Sequence, residues 1–221
     1  MAGSAVIFDM DGLMFDTERL ARDAWRRAMA DHGYSLDDDV YLSVVGRTVD
    51  GACRAFVDAF GPGLPIAQIE AAKARHLREM LEPHPPLKPG LLGLLNGIEA
   101  RGLPMAVASA TARAEIERRL AGVGLLQRFG AVAGGDEVAH GKPAPDLFLL
   151  AAERLGRKPA ECVVLEDSEA GVRAAAAAGM APIMVPDLVE PSSTTRTLAA
   201  AVLPSLAGAL EVVRVLCGAS I

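Results

Sequence analysis

The sequence predicts an α/β protein, a doubly wound parallel sheet with a small all-helical unit inserted after the first strand. Three observations predict it. Apolar runs of strand length recur along the chain, each separated from the next by a stretch of helical period. Residues 15–82 carry helical period, with no convincing strand. Aromatic residues are only 4% of a chain that is 51% apolar, so the core is built from Ala, Leu and Val, which suits helices packed closely on a sheet. The 221 residues are enough for one or two domains and a sizeable core.

Ala5-Val6-Ile7-Phe8 is short and apolar and ends at Asp9, with Gly12 close behind, as a buried strand running into a turn does. The period then changes. Ala21, Ala24, Trp25, Ala28 and Met29 recur at helical spacing, as do Val49, Ala52, Cys53, Phe56, Val57 and Phe60. Ile66, Ile69, Leu77, Met80 and Leu81 follow less strictly. The stretch ends in Pro83-His84-Pro85-Pro86-Leu87-Lys88-Pro89-Gly90, where the prolines forbid a helix and mark a linker. Two domains are expected: 1–14 with 88–221, and the helical insert 15–87.

Beyond the linker, Leu91, Leu94, Leu95 and Ile98 mark a helix face. Met105–Ala108 reads as a strand, Arg113–Leu120 as a helix, and Ala131–Ala133 as a strand before Gly134-Gly135. Leu147–Leu155 is a helix, Cys162–Leu165 a strand, Glu169–Ala178 a helix and Ile183–Val185 the last strand. Leu206, Ala209, Leu210 and Val213 close the chain with an amphipathic helix. Strands separated by helices imply parallel pairing.

Composition excludes several function classes. Lys plus Arg is 22 against 28 for Asp plus Glu, a net charge of −6, so a nucleic-acid partner is not expected. Cys53, Cys162 and Cys217 are far apart and in no metal-ligand spacing, which suits buried thiols in a cytoplasmic protein. No basic stretch followed by an apolar one opens the chain, and the longest apolar run, 174–185, is broken by Gly179 and Pro182, so neither a signal peptide nor a membrane span is expected. A monomer is favoured.

In open parallel sheets, ligands bind beyond the carboxyl ends of the strands. Past the first apolar run come Asp9-Met10-Asp11-Gly12, and past the second Ser109-Ala110-Thr111. Gly141-Lys142-Pro143 lies a few residues past the third, and Glu166-Asp167-Ser168 follows the fourth. The fold gathers these groups at one rim. Clustered carboxylates need a cation between them, and a few oxygen ligands suit Mg²⁺. A serine hydroxyl and a lysine point charge suit a phosphate. Each group alone has a plainer reading: a turn pair for Asp9 and Asp11, helix caps for Ser109, Thr111, Asp167 and Ser168, and a solvated lysine for Lys142. Their joint occurrence, each after a separate strand, favours a site.

These segments resemble the four signatures of the haloacid dehalogenase-like hydrolase superfamily. Phe8-Asp9-Met10-Asp11-Gly12-Leu13-Met14-Phe15-Asp16-Thr17-Glu18 resembles the first, and Ala108-Ser109-Ala110-Thr111 the second. Lys142-Pro143-Ala144-Pro145-Asp146 resembles the third, and Glu166-Asp167-Ser168-Glu169-Ala170-Gly171 the fourth. The resemblance covers essentially the whole chain. It implies a Rossmann-like core, and the insert resembles the small cap of the branch that holds phosphoglycolate-phosphatase-like and β-phosphoglucomutase-like enzymes.

The resemblance implies a phosphatase acting on a small phosphorylated metabolite. Asp9 is then the nucleophile that takes the phosphoryl group. Mg²⁺ is expected between Asp9, Asp167 and the backbone carbonyl of Asp11, with Glu166 either a ligand or one layer behind. Asp11 protonates the leaving alcohol and later deprotonates water; it is expected to start protonated, helped by nearby negative charge. Ser109, the Ala110 backbone and Lys142 hold the phosphoryl oxygens. The cap is expected to close over the substrate and choose it. Arg47, between two cap helices, and Arg113, just after the second signature, are candidates for reading the substrate, a solvated surface arginine being the competing reading for each.

Two rivals remain. The mutase branch carries a histidine near the start of the first cap helix, where Ala21 stands here, so phosphosugar mutase activity is the alternative. A signalling receiver domain also carries acidic, hydroxyl and lysine groups after successive strands, but it places its acceptor aspartate after a middle strand and has no insert like 15–87.

Overall fold

The computed structural model describes residues 4–45, 49–82 and 84–218. The chain divides into two compact units, Met1–Phe15 with Pro86–Ile221, and Asp16–Pro85. In the first, Ala5–Phe8 forms β1, with every residue buried. Side chains alternate across a strand, so Val6 and Phe8 enter one apolar cluster and Ala5 and Ile7 the other. Such a strand, buried on both faces, carries the continuous apolar run seen in the sequence.

The second unit is helical among the described residues: α1 (Thr17–Asp31), α2 (Asp38–Leu42), α3 (Val49–Phe60) and α4 (Ile66–Leu81). The face of α1 formed by Ala24, Trp25, Ala28 and Met29 is buried, and α1 packs on α4, which buries Ile69 and Ala72. Trp25 meets Phe56 of α3 at 4.8 Å between ring centroids, and Lys73 lies over the indole. Trp25 is thus a core residue, as its place on the apolar face suggests. The short α2 was not legible in the sequence, because one turn and a half shows no period. Gly46-Arg47 lies outside the described residues.

Elements then alternate: α5 (Leu91–Glu99), β2 (Met105–Ser109), α6 (Arg113–Gly122), β3 (Ala131–Gly134), α7 (Asp146–Arg154), β4 (Cys162–Glu166), α8 (Glu169–Ala177), β5 (Ala181–Met184), α9 (Ser193–Leu198), β6 (Ala201–Val202) and α10 (Ala209–Leu216). All strands pair in parallel, in the order β3-β2-β1-β4-β5-β6. This is the doubly wound sheet expected. One expectation fails: Ile183–Val185 is not the last strand, since the strand is Ala181–Met184 and β6 follows it. Two paired residues among alanines leave no pattern to read.

The sheet's two faces differ. Leu91, Leu94, Leu95, Ile98, Ile116 and Leu120 join Val6, Phe8 and Val107 on one face, where Phe8 meets Phe129 edge to face at 6.0 Å. On the other, Ala106, Ala108, Ala133, Ala151, Ala174 and Ala175 let α7 and α8 lie close to the strands. The strand order matters for the site. From β1 the chain first builds outward through β2 and β3, then returns to place β4 on the other side of β1. The carboxyl ends of β1 and β4 flank the switch point, where crevices form in such sheets.

Candidate active site

Three strands deliver their polar residues where their apolar runs stop. Asp9 follows β1, Ser109 is the last residue of β2 and Glu166 the last of β4. In register, Phe8 pairs with Val107 and with Leu165, so the three ends lie side by side. Asp9, Glu166 and Asp167 each offer a carboxylate oxygen, and these lie within 4.8 Å of one another.

Lys142, from the loop before α7, bridges this group. Its Nζ donates to Asp9 Oδ1 and, at 2.9 Å, to Glu166 Oε1. It also lies 4.9 Å from the centroid of Phe148. Burial opposes its charge, but Asp9 and Glu166 outweigh that and hold the ammonium above its ordinary value. Burial pushes the Asp9 carboxyl well up, against the pull of Lys142. Fully ionised, three carboxylates against one ammonium carry two excess negative charges, with Asp9 and Glu166 buried and Asp167 half-buried. Uncompensated buried charge is strongly unfavourable. The donor set, all carboxylate oxygen with a charge deficit of two, fits a hard divalent cation.

Glu166 is almost wholly buried and its oxygens are engaged. Besides Lys142 it accepts from the backbone N–H groups of Asp167 (2.9 Å) and Ser168 (3.3 Å) and from Ser168 Oγ (3.1 Å). Ser168 in turn caps α8, its Oγ accepting from Gly171 N at 3.1 Å. The plain reading of Ser168 as a helix cap therefore holds, alongside its bond to Glu166. Two glycines make room for the carboxylates. A Cβ on Gly171 would overlap the Glu166 carboxylate, and one on Gly12, whose φ is +83°, would overlap that of Asp167.

Asp11 lies beside this cluster. Its Oδ2 accepts from Thr111 Oγ1 at 2.8 Å and Ser109 Oγ at 3.4 Å, and its Oδ1 from Arg119 Nη1 at 2.8 Å. The surroundings expected for it were negative; its direct ionic partner is a guanidinium. Ser109 Oγ also accepts from Thr111 N at 3.2 Å, which folds the loop over the hydroxyl. Neither Ser109 nor Thr111 caps α6. Its N-cap is Ala112, and the free N–H of Arg113 is met by Asp136 Oδ1 at 2.8 Å. Ala110 is exposed, with its carbonyl packed where a Cβ on Gly135 would fall.

Arg113 is not brought to the cluster. Its guanidinium pairs with Glu117 at 2.8 Å and Glu137 at 3.4 Å on the surface. Reading the sequence missed Thr111 as an Asp11 partner and Arg119 altogether. A signal for Arg119 exists: it sits three residues after Ile116 and one before Leu120, both buried, so it lies beside the apolar stripe of α6.

Fold and cluster define an α/β protein with an acidic, lysine-bridged centre at the switch point of its sheet and a helical unit inserted after the first strand. The chain belongs to the haloacid dehalogenase-like hydrolase family, whose sequence model matches residues 4–179. It is 37% identical over 181 residues to the fructose-1-phosphate phosphatase YqaB of Escherichia coli, covering 80% of this chain and 93% of that protein. The crystal structure of CbbY from Rhodobacter sphaeroides in complex with phosphate matches with a TM-score of 0.73 at 31% identity, over 93% of this chain and 96% of that one. A β-phosphoglucomutase from Clostridium difficile matches with a TM-score of 0.74 at 22% identity, over 97% of each chain, a likeness of fold alone.

Proposed function

We propose that this protein is a Mg²⁺-dependent phosphatase that hydrolyses a small phosphorylated metabolite, a phosphosugar or similar monoester, through a phosphorylated Asp9. The observation that carries this reading is the buried Asp9 carboxylate at the end of the central strand, with Lys142 against it and Glu166 and Asp167 beside it. Asp9, Asp167 and the Asp11 carbonyl would hold the cation. When bound, Mg²⁺ supplies positive charge that lets an anionic carboxylate approach an anionic ester. Glu166 serves chiefly as the anchor of Lys142 and of the loop that carries Asp167.

In the first half-reaction an Asp9 oxygen bonds to phosphorus and the ester P–O bond breaks. Asp11 donates a proton to the departing alcohol oxygen. Ser109 Oγ, the Ala110 backbone and Lys142 Nζ steady the phosphoryl oxygens, and a fixed donor of this kind is worth about 10²–10³ in rate. In the second half-reaction water displaces Asp9 from phosphorus and gives its proton to Asp11. The reading includes a cytoplasmic enzyme, working as a monomer, with neither nucleic acid nor membrane as partner. No helix among the described residues is long and apolar enough to cross a membrane.

The test is release of inorganic phosphate from a panel of sugar phosphates, nucleotides and small phospho-acids. Activity is expected with Mg²⁺, to vanish on chelation and to return on adding Mg²⁺. Full activity after thorough chelation overturns the metal assignment. With β-glucose 1-phosphate and trace glucose 1,6-bisphosphate, phosphate should appear faster than glucose 6-phosphate; the reverse makes the protein a mutase.

A further inference from the structure

We infer that Arg119 is a positioning residue for the second half-reaction, holding the Asp11 carboxylate toward the phosphoryl-binding corner so that it takes the proton of the attacking water. The inference rests on the phosphatase reading above and adds a residue that reading does not contain.

Three donors converge on Asp11 from the segment 109–119. Thr111 Oγ1 and Ser109 Oγ reach Oδ2, and Arg119 Nη1 reaches Oδ1 at 2.8 Å. Ser109 is also the last residue of β2, the strand that pairs with β1 up to Phe8 opposite Val107. The carboxyl group of Asp11 is therefore held against Ser109, the hydroxyl that the reading above puts on the phosphoryl oxygens. A guanidinium only donates hydrogen bonds and a carboxyl oxygen accepts them, so the pair fixes where the Asp11 side chain points.

Arg119 is itself held. It is 11% exposed, and its Nε donates to Glu115 Oε1 at 2.7 Å, one turn back on α6. Glu115 also accepts from Arg118 Nε at 2.7 Å and Nη2 at 2.9 Å. The Arg118 bonds, together with Arg119 itself, hold the Glu115 carboxyl down at about 2. Arg119 thus has one guanidinium edge fixed to its own helix and the other turned to Asp11. Two long, flexible side chains of this kind lose orientation freedom when paired, and fixing that orientation beforehand is what a positioning residue contributes.

The water oxygen bonds to phosphorus as the bond between phosphorus and the Asp9 oxygen breaks, and its electron pair returns to the Asp9 carboxylate. The water proton passes to the Asp11 carboxylate. The products are inorganic phosphate, ionised Asp9 and a protonated Asp11, which holds the proton the next leaving alcohol requires. With Arg119 absent, Asp11 keeps its two hydroxyl donors but loses its fixed aim.

The experiment uses p-nitrophenyl phosphate with Mg²⁺ and the full chain, because p-nitrophenolate leaves without a proton and the first half-reaction then makes no demand on Asp11. In Arg119→Met, rapid mixing should show a burst of p-nitrophenolate close to one per enzyme, then steady turnover slowed roughly 10–100-fold. Phosphorylated Asp9 should accumulate in acid-quenched samples, and Arg119→Lys should recover part of the turnover. A purely structural arginine slows burst and turnover in the same proportion, and that result, or turnover equal to wild type, overturns the inference. If Arg119→Met does not fold, Glu115→Gln replaces it with the same readout: a burst with slowed turnover sustains the inference, and unchanged kinetics overturn it. If wild type itself releases no phosphate from any ester, or never carries phosphate on Asp9, it is the phosphatase reading that falls.

Discussion

Two groups of carboxylates and cations in the same α/β unit behave in opposite ways. At the ends of β1 and β4, Asp9, Lys142 and Glu166 have side chains no more than 10% exposed. On the surface, Glu137 accepts from Arg154 at 2.8 Å and from the Gly134 N–H at 2.9 Å, with Arg113 at 3.4 Å. Burial pushes the Asp9 carboxyl up. The Arg154 hydrogen bond, followed by those from Gly134 and Arg113, pulls the Glu137 carboxyl down to about 2. Water stabilises the surface charges whether or not they are paired, so the pairs there tie α7, the β3 loop and α6 together and do little else. The inner group has no water to fall back on and carries more negative charge than its one lysine balances. That imbalance is what suits it to a cation.

The comparison is broken most severely at Asp9. Asp9→Asn should leave the fold intact, since the amide has the same shape, and lower turnover at least about 10³-fold, because an amide is a poor nucleophile. A well-folded Asp9→Asn protein with near-normal phosphate release removes Asp9 from the mechanism.

Lys142→Met should act on both stability and rate. It leaves Asp9 and Glu166 facing each other without their ammonium, a loss of about 3–5 kcal/mol for a buried pair deprived of one partner. Thermal unfolding in metal-free buffer should show this as a lowered Tm, accompanied by a rate loss of about 10² or more. An unchanged Tm would mean that the inner group is as well solvated as the outer one.

Gly171→Ala sharpens the comparison without touching a charge. The new methyl group overlaps the Glu166 carboxylate. Overpacking of this order costs about 1–3 kcal/mol and displaces the anchor of Lys142. Both Tm and turnover should fall; a silent Gly171→Ala shows that Glu166 has room to move.

The smallest effect is expected in the outer group. Glu137→Gln should lower stability by at most about 1 kcal/mol. A carboxyl depressed in the folded state stabilises above its ordinary value of 4.5 and loses that contribution as pH falls toward about 2. The Tm difference between wild type and Glu137→Gln should therefore be fully present at pH 6 and shrink on descending below pH 4.5. A difference that is constant with pH means that the charge on Glu137, paired with Arg154, Gly134 N–H and Arg113, contributes nothing to stability.

Much of this was legible in the chain. Apolar runs ended one residue before Asp9 and within one residue of Ser109 and Glu166, because a buried strand announces itself residue by residue. The helical insert was equally plain, since Ala24, Trp25, Ala28 and Met29 repeat on one face of α1. What stayed hidden were contacts that no local pattern encodes. Arg119 meets Asp11 across 108 positions of sequence, and Asp136 caps α6 from 23 positions away. The two-residue β6 had too few residues to show a period.

By itself the sequence determined which residues could carry the chemistry: a carboxylate, a hydroxyl and a carboxylate pair where apolar strands must end, and a lysine in the loop after the third strand. Only the tertiary structure decided which of them act on one another. The order β2-β1-β4 brings Asp9 and Glu166 together and lets Lys142 span them, and the packing of α6 on the sheet turns Arg119 toward Asp11. The physical reason is that hydrophobic period is a property of neighbours along the chain, whereas the energy of a charge depends on what surrounds it in space and on how much water remains there.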